Sequence, residues 1–193
     1  YSSFFPFDFD TYFASEMECE IVTTNCVTGK AEYMTERSDR DRLMKLCRAS
    51  SSMPLVSPIV NVDGVPYLDG GLADSIPVKR AQALGNEKII VILTRNPGYR
   101  KKPTSRGVKS LYKRAYKKYP NLVRTAIKRS MIYNQQMELV EKLEDEGKIF
   151  VIRPLIPTVS RLEKNYDALM HFYEHGYRLM KRQYQALQEY MEK

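Results

Sequence analysis

Apolar and polar positions along the chain first recur with the period of a strand and later with that of a helix. Residues 20–27 are rich in β-branched side chains, Thr28-Gly29-Lys30 reads as a turn, and residues 31–35 read as a returning strand, so a hairpin is predicted. Leu43, Leu46 and Cys47 then fall on one side of a helix, opened by Ser38 with Asp41 three residues on. That helix runs out in Ser50-Ser51-Ser52 and stops before Pro54. Residues 59–62 and 65–68, joined by Asp63-Gly64, carry a strong second hairpin signal.

Further on the period changes. Ile76-Pro77 begins a short helix that Gly85 ends. Residues 88–94 read as a strand with an unbroken apolar centre, Ile89 to Leu93, as expected of a strand buried on both faces of a parallel sheet. A basic loop over 96–105 leads into helical segments at about 106–118 and 121–146, the second closed by Gly147, and residues 149–152 give another strand closed by Pro154. In the last segment Tyr166, Met170, Tyr173, Tyr177, Met180, Tyr184, Leu187 and Met191 recur at spacings of four and three. This stripe predicts a long helix packing its Tyr/Met face on the sheet, with a coiled-coil seam as the other option. Strands alternating with helices over 55–155 predict an α/β fold with a mostly parallel sheet and helices on both sides.

The 193 residues suffice for one domain with a hydrophobic core, and 43% hydrophobic with 28% charged residues excludes a disordered or fibrous chain. The longest purely apolar run, Ile89 to Leu93, is far short of the ~20 residues of a membrane-spanning helix. Cys19, Cys26 and Cys47 form an odd, sparse set without a C-x-x-C pair. A reducing cytoplasm is expected, with buried thiols acting as small hydrophobes. The start at Tyr1 looks like a cut, so a removed targeting segment stays open. Net charge is +8, unevenly placed: from Lys88 to Met137 there are 14 Lys and Arg and no Asp or Glu. A one-signed block of this kind suggests a surface that meets something anionic, either nucleic acid or phospholipid head groups.

The most pointed candidate chemistry lies in Asp63-Gly64-Val65-Pro66-Tyr67-Leu68-Asp69-Gly70-Gly71-Leu72-Ala73-Asp74-Ser75-Ile76-Pro77-Val78. A strand ends in an acid and two glycines follow at once. Glycines there permit a sharp turn and leave space beside the carboxylate for another segment or a substrate. On spacing alone, a turn whose Asp bonds its own backbone fits as well.

This stretch resembles the signature of the patatin-like phospholipase family, in which a strand ends in Asp-Gly-Gly or Asp-Gly-Ala before an Asn-x-Pro-type turn. Arg48-Ala49-Ser50-Ser51-Ser52-Met53-Pro54 resembles the family's small-residue helix end before proline. Pro120-Asn121-Leu122-Val123-Arg124, Phe150-Val151-Ile152-Arg153-Pro154 and Ser160-Arg161-Leu162-Glu163-Lys164 resemble small bacterial members, so nearly the whole chain is covered. The resemblance implies a three-layer α/β/α fold. It also implies a lipid acyl-ester hydrolase with a serine–aspartate dyad, no histidine, and no metal or cofactor.

Asp69 then matches the catalytic base, with Gly70 and Gly71 as supporting motif residues. A free aspartate, with a pKa of about 3.9, is a weak base unless burial or a short hydrogen bond alters it; the preceding apolar strand is expected to supply burial. The sequence departs from the family in that none of its nine glycines belongs to a G-x-S-x-G elbow or a Gly-rich oxyanion loop. Residues 1–193 are therefore expected to be the C-terminal portion of one patatin-like domain, its nucleophilic serine lying upstream. Ser50, Ser51 and Ser52 lack flanking glycines and make poor nucleophile candidates. Ser75 stands where the family often has Asn.

His171-Phe172-Tyr173-Glu174-His175 also fits the H-x-x-E-H pattern of inverted zinc peptidases, but no third ligand is evident and a packing role is preferred. The basic block, with Tyr99, Tyr112, Tyr116 and Tyr119 interleaved, suits a solvated face, an anionic membrane or, less well, nucleic acid. Two functions follow. One is a phospholipid or acyl-lipid esterase, cytoplasmic or peripheral at a membrane. The other is a non-catalytic module binding anionic lipid or nucleic acid.

Overall fold

In a computed structural model of the chain, residues 6–160 and 162–192 are described; Tyr1 to Phe5, Lys193 and Arg161 of the Ser160–Lys164 motif lie outside them. The described elements are α1 (Phe9–Ala14), β1 (Ile21–Asn25), β2 (Ala31–Met34), α2 (Arg40–Ser50), β3 (Val60–Val62), β4 (Val65–Asp69), α3 (Val78–Ala83), β5 (Ile90–Ile92), α4 (Arg106–Ala115), α5 (Pro120–Asp145), β6 (Phe150–Ile152) and α6 (Tyr166–Glu192). They fall into two compact units. One is built from the chain up to Ile76 with Lys102–Tyr133, the other from Pro77–Lys101 with the chain from Asn134 onward.

The first unit holds a four-stranded sheet in the order β2-β1-β4-β3, every neighbouring pair antiparallel. Both predicted hairpins are present. Asp63 and Gly64 have φ of 53° and 83°, the two left-handed residues of a type I′ turn, whose twist matches that of the strands it joins. Alternation along β4 sends Tyr67 to one face and Leu68 to the other. Tyr67 joins Leu46, Ala49, Val60 and Val62 under α2, while Leu68 joins Cys26, Leu72, Tyr116, Leu122, Val123 and Ala126. The sheet that carries Asp69 is thus packed on both faces within one unit.

α2 starts one residue later than the Ser38 signal suggests. Asp39 is its cap, accepting from the Arg42 N–H at 3.0 Å, because the Ser38 hydroxyl donates to Glu36 instead. Glu36 is buried and accepts the N–H groups of Arg37, Ser38 and Asp39, each at 2.9 Å, while its other oxygen takes Arg42 at 2.7 Å. Those bonds, the Asp39 amide foremost, hold its carboxyl down at about 2.

The second unit pairs β5 and β6 in parallel, with Val91 opposite Val151. Here the expected architecture is corrected. Parallel pairing is confined to these two strands, because the two hairpins join through β1 and β4 into an antiparallel sheet; the fold is α/β with mixed sheets rather than mostly parallel. β5 is not buried on both faces: Val91 is inward, Ile90 and Ile92 are exposed. A run that is apolar at every position looks the same whether one face or two are covered, so its pattern could not decide this.

The long C-terminal helix exists, but its Tyr/Met stripe does not pack as expected. Tyr166, Tyr173, Tyr177, Tyr184 and Met191 are exposed, and Leu179 is the buried residue of α6. The helix is fixed near its end by Tyr190, whose hydroxyl receives the Ile89 N–H at 2.9 Å and donates to the Lys148 carbonyl at 3.1 Å. Of the three cysteines, all free, Cys26 is buried and Cys19 and Cys47 are exposed. The expectation of three buried thiols therefore holds for Cys26 alone. Burial pushes its thiol up to about 12.

Candidate active site

Asp69 is the last residue of β4, paired in register with Thr23 of β1. Its backbone is held from two sides. Its N–H donates to the Ser52 carbonyl at 2.9 Å, and its own carbonyl accepts from the buried Thr24 hydroxyl at 2.8 Å. A carboxylate mounted on a strand held this way needs little reorganisation to stay in place.

The glycines have separate tasks. A Cβ on Gly70 would lie 2.2 Å from the Val22 carbonyl oxygen, so only hydrogen fits where the chain leaves β4 against β1. A Cβ on Gly71 would lie 3.0 Å from Asp69 Oδ1, so this second glycine keeps space beside the carboxylate itself. The turn continues as a single 3-10 turn over Gly70–Leu72, with the Gly71 N–H donating to Asp69 Oδ1 at 2.7 Å. The sequence left two options, an acid bonded to its own turn or an acid free to react, and the two oxygens divide them. Oδ1 is used by the turn; no described residue donates to Oδ2. Asp69 is half-buried, less than the apolar strand before it suggested.

The contrast with Glu36 matters. Glu36 is sheathed by backbone amides and an arginine, as a structural carboxylate is, whereas Asp69 keeps one oxygen open.

Two side chains close around the next peptide. The Gly71 carbonyl accepts from the Ser75 hydroxyl at 2.6 Å and from Arg129 Nε, on α5, at 2.8 Å. Ser75, where the family often has Asn, thus ties the turn through its hydroxyl. Arg129 Nη2 and Ser75 Oγ each lie 3.7 Å from the point where a Gly71 Cβ would sit. A carboxylate, a guanidinium and a hydroxyl therefore converge on one small space.

Arg129 and Thr24 did not emerge from the sequence. Arg129 was one of fourteen basic residues, yet it stands three after buried Ala126 and seven after buried Leu122, on the inward face of α5. A cation on an apolar helical face is the signal that could have singled it out.

The other candidates are accounted for by their bonds. Ser51 and Ser52 hydroxyls donate back to the carbonyls of Cys47 and Arg48, at 2.8 and 2.7 Å, as residues at a helix end do. His171, Glu174 and His175 line a pocket with Arg178, Arg182, Leu155, Ile156 and Leu179. His175 Nε2 accepts the Leu155 N–H at 3.1 Å and Glu174 pairs with Arg178 at 2.9 Å. Among the described residues no three His, Cys, Asp or Glu side chains are grouped to hold a metal ion, and no helix is long and apolar enough to cross a membrane.

Comparison with known proteins bears on this site directly. Residues 16–81, which include Asp69, Gly70 and Gly71, match the patatin-like phospholipase family. Residues 119–192 match a domain of unknown function, DUF6363. The uncharacterized protein YjjU of Escherichia coli (strain K12) is 34% identical over 95 residues, covering 42% of this chain and 27% of that protein. The chain therefore spans about a quarter of the length of this curated relative. The patatin resemblance is shown for residues 16–81.

Proposed function

We propose that this chain carries the acid of a serine–aspartate lipid acyl-ester hydrolase. The observation that carries this reading is Asp69: its backbone held from two sides, its Oδ1 held by the Gly71 N–H and its Oδ2 without a donor among the described residues. The family match over residues 16–81 supplies the reaction class.

In this reading residues 1–193 contribute the C-terminal portion of one three-layer patatin-like domain, and the serine and oxyanion donors come from a segment outside them. The serine hydroxyl attacks the ester carbonyl while its proton passes to Asp69 Oδ2. The alcohol leaves with that proton. Water then attacks the acyl-enzyme, again giving its proton to Asp69, and the serine is restored as the fatty acid departs. Ser75 and Arg129 hold the Gly71 peptide, so the bond that orients Oδ1 stays in place throughout. The chemistry calls for no metal or cofactor. The substrate class is a phospholipid or another acyl lipid, and the setting is cytoplasmic.

A second reading, a module that binds anionic surfaces without chemistry, is favoured by the acid-free run of 14 basic residues. The two are separated by turnover. In the natural protein that contains these residues, Asp69→Asn should lower p-nitrophenyl ester hydrolysis by about 10²–10⁴-fold, the range for loss of a positioned base. Wild-type turnover in a folded variant would remove Asp69 from the mechanism. No turnover in the unmodified natural protein would leave the binding module.

A further inference from the structure

α4 differs from the other long helices of the chain in that none of its ten residues is buried. Its sequence is nevertheless strongly two-sided. Val108, Leu111, Tyr112 and Ala115 share one side at helical spacing, while Arg106, Lys109 and Lys113 share the other. Only the edge of the apolar side is covered: Tyr112, together with Tyr116 just beyond the helix, packs on the core, and Val108 and Leu111 remain 39% and 49% exposed.

A second apolar feature is tied to the same element. Leu55 is 38% and Val56 73% exposed, in the loop that follows α2. Leu55 has φ of 68°, a left-handed conformation unusual for a bulky side chain. Surrounding bonds hold it there: its N–H donates to the Tyr116 hydroxyl at 2.7 Å, and the Val56 and Ser57 amides donate to the Met53 carbonyl at 3.3 and 2.9 Å. Tyr116 thus couples this loop, with its left-handed Leu55 and exposed Val56, to the C-terminal end of α4.

The segment that carries α4 has charge of one sign. From Lys102 to Tyr133 there are ten Lys and Arg and no acid. Docking a second copy by this face would set like charges together, because a two-fold contact meets itself. Nucleic acid would use the charge but not exposed aliphatic residues; bases stack on rings, and here Tyr112 and Tyr116 point inward. An anionic bilayer uses both, lysines and arginines at the head groups and leucine and valine among the first acyl carbons.

We propose that the outer face of α4, with the Leu55–Val56 loop, docks on the surface of an anionic phospholipid bilayer. The loop continues directly from Ser52, whose carbonyl grips the Asp69 N–H. Docking by this face would set against the lipid a loop that begins at the residue holding the candidate acid's backbone. Docking itself does not depend on Asp69 being catalytic.

The test is sedimentation of the natural protein that contains these residues with phosphatidylcholine vesicles, with and without phosphatidylserine. Binding should require phosphatidylserine and weaken with salt. Arg114→Gln, exposed and next to Leu111 around the helix, and Lys117→Gln, exposed just beyond its end, should each weaken it by about fivefold. Leu111→Asn should weaken it by about tenfold with unchanged far-UV circular dichroism. Val56→Asn repeats that test in the loop should Leu111→Asn fail to fold. Failure to bind, equal binding to neutral vesicles, or binding indifferent to both Leu111 and Val56 would overturn the proposal. So would self-association abolished by Leu111→Asn, which would assign the face to a second copy. Binding of a single-stranded oligonucleotide that displaces the vesicles and ignores Leu111 would give the face to nucleic acid, and equally overturn it.

Discussion

Replacing Gly70 by alanine tests whether the acid's position is set by backbone contact. The new Cβ would lie 2.2 Å from the Val22 oxygen and 2.5 Å from its carbonyl carbon, where ordinary contact begins at 3.4 Å. β1 or the turn must therefore retreat by about 1.2 Å, and neither obstacle is a side-chain tip that can swing away. Overpacking of this kind costs about 1–3 kcal/mol, at the upper end when backbone must move. A retreat of that size also stretches the 2.8 Å bond from Thr24 Oγ1 to the Asp69 carbonyl beyond bonding range, about 1 kcal/mol more. Alanine recovers roughly 0.4–1 kcal/mol by restricting the unfolded chain. The balance is a loss of about 3 kcal/mol, large against the 5–15 kcal/mol typical of a domain. Urea denaturation followed by circular dichroism measures it. Gly71→Ala is the comparator: its Cβ meets mainly Asp69 Oδ1, so stability should stay within about 1 kcal/mol while the ester hydrolysis proposed for the natural protein falls. A Gly70→Ala loss below about 1 kcal/mol would refute the argument that β1 positions Asp69.

Two further outcomes follow from titrating groups. Glu36, normally near 4.5, is held at about 2 in the fold, so its stabilisation is fully present above pH 4.5 and lost as pH falls towards 2; it amounts to about 3 kcal/mol. Glu36→Gln should lower the urea midpoint at pH 7 and flatten its pH dependence between 4.5 and 2, and an unchanged acid limb would refute this. Cys26, buried with its thiol raised to about 12, should resist a thiol reagent that labels Cys19 and Cys47, and should react only on unfolding. Mass spectrometry of the native labelled chain decides it.

What was legible in the sequence were features in which local chemistry settles the structure. Asp63-Gly64 forces an I′ turn, Gly147 at φ 67° ends α5, and the run into Asp69-Gly70-Gly71 marks a strand that must turn sharply. What was not legible depends on which face another element covers. The apolar run through Ile90-Val91-Ile92 carries no record of whether one or both faces are buried. The tyrosine stripe of α6 gives a helical period, but not the partner that period serves. At the site, Asp69 is legible through its Asp-Gly-Gly run and the family resemblance that run carries, whereas Thr24, Ser52 and Arg129 stand 45, 17 and 60 positions from it, distances at which spacing carries no signal. The absence of a donor to Oδ2 among the described residues, on which the proposed role of Asp69 rests, is likewise a property of the folded neighbourhood.

The division of labour between the two glycines bears on how divergent relatives should be interpreted. Gly70 is demanded by β1 whether or not the acid before it reacts, and Gly71 is demanded by the carboxylate. On the dyad proposed above, a descendant that abandoned the reaction while keeping the sheet would be free to vary at 69 and 71 but not at 70. The persistence of a lone glycine at that place would then record ancestry of architecture, and only the acid together with the second glycine would record chemistry still in use.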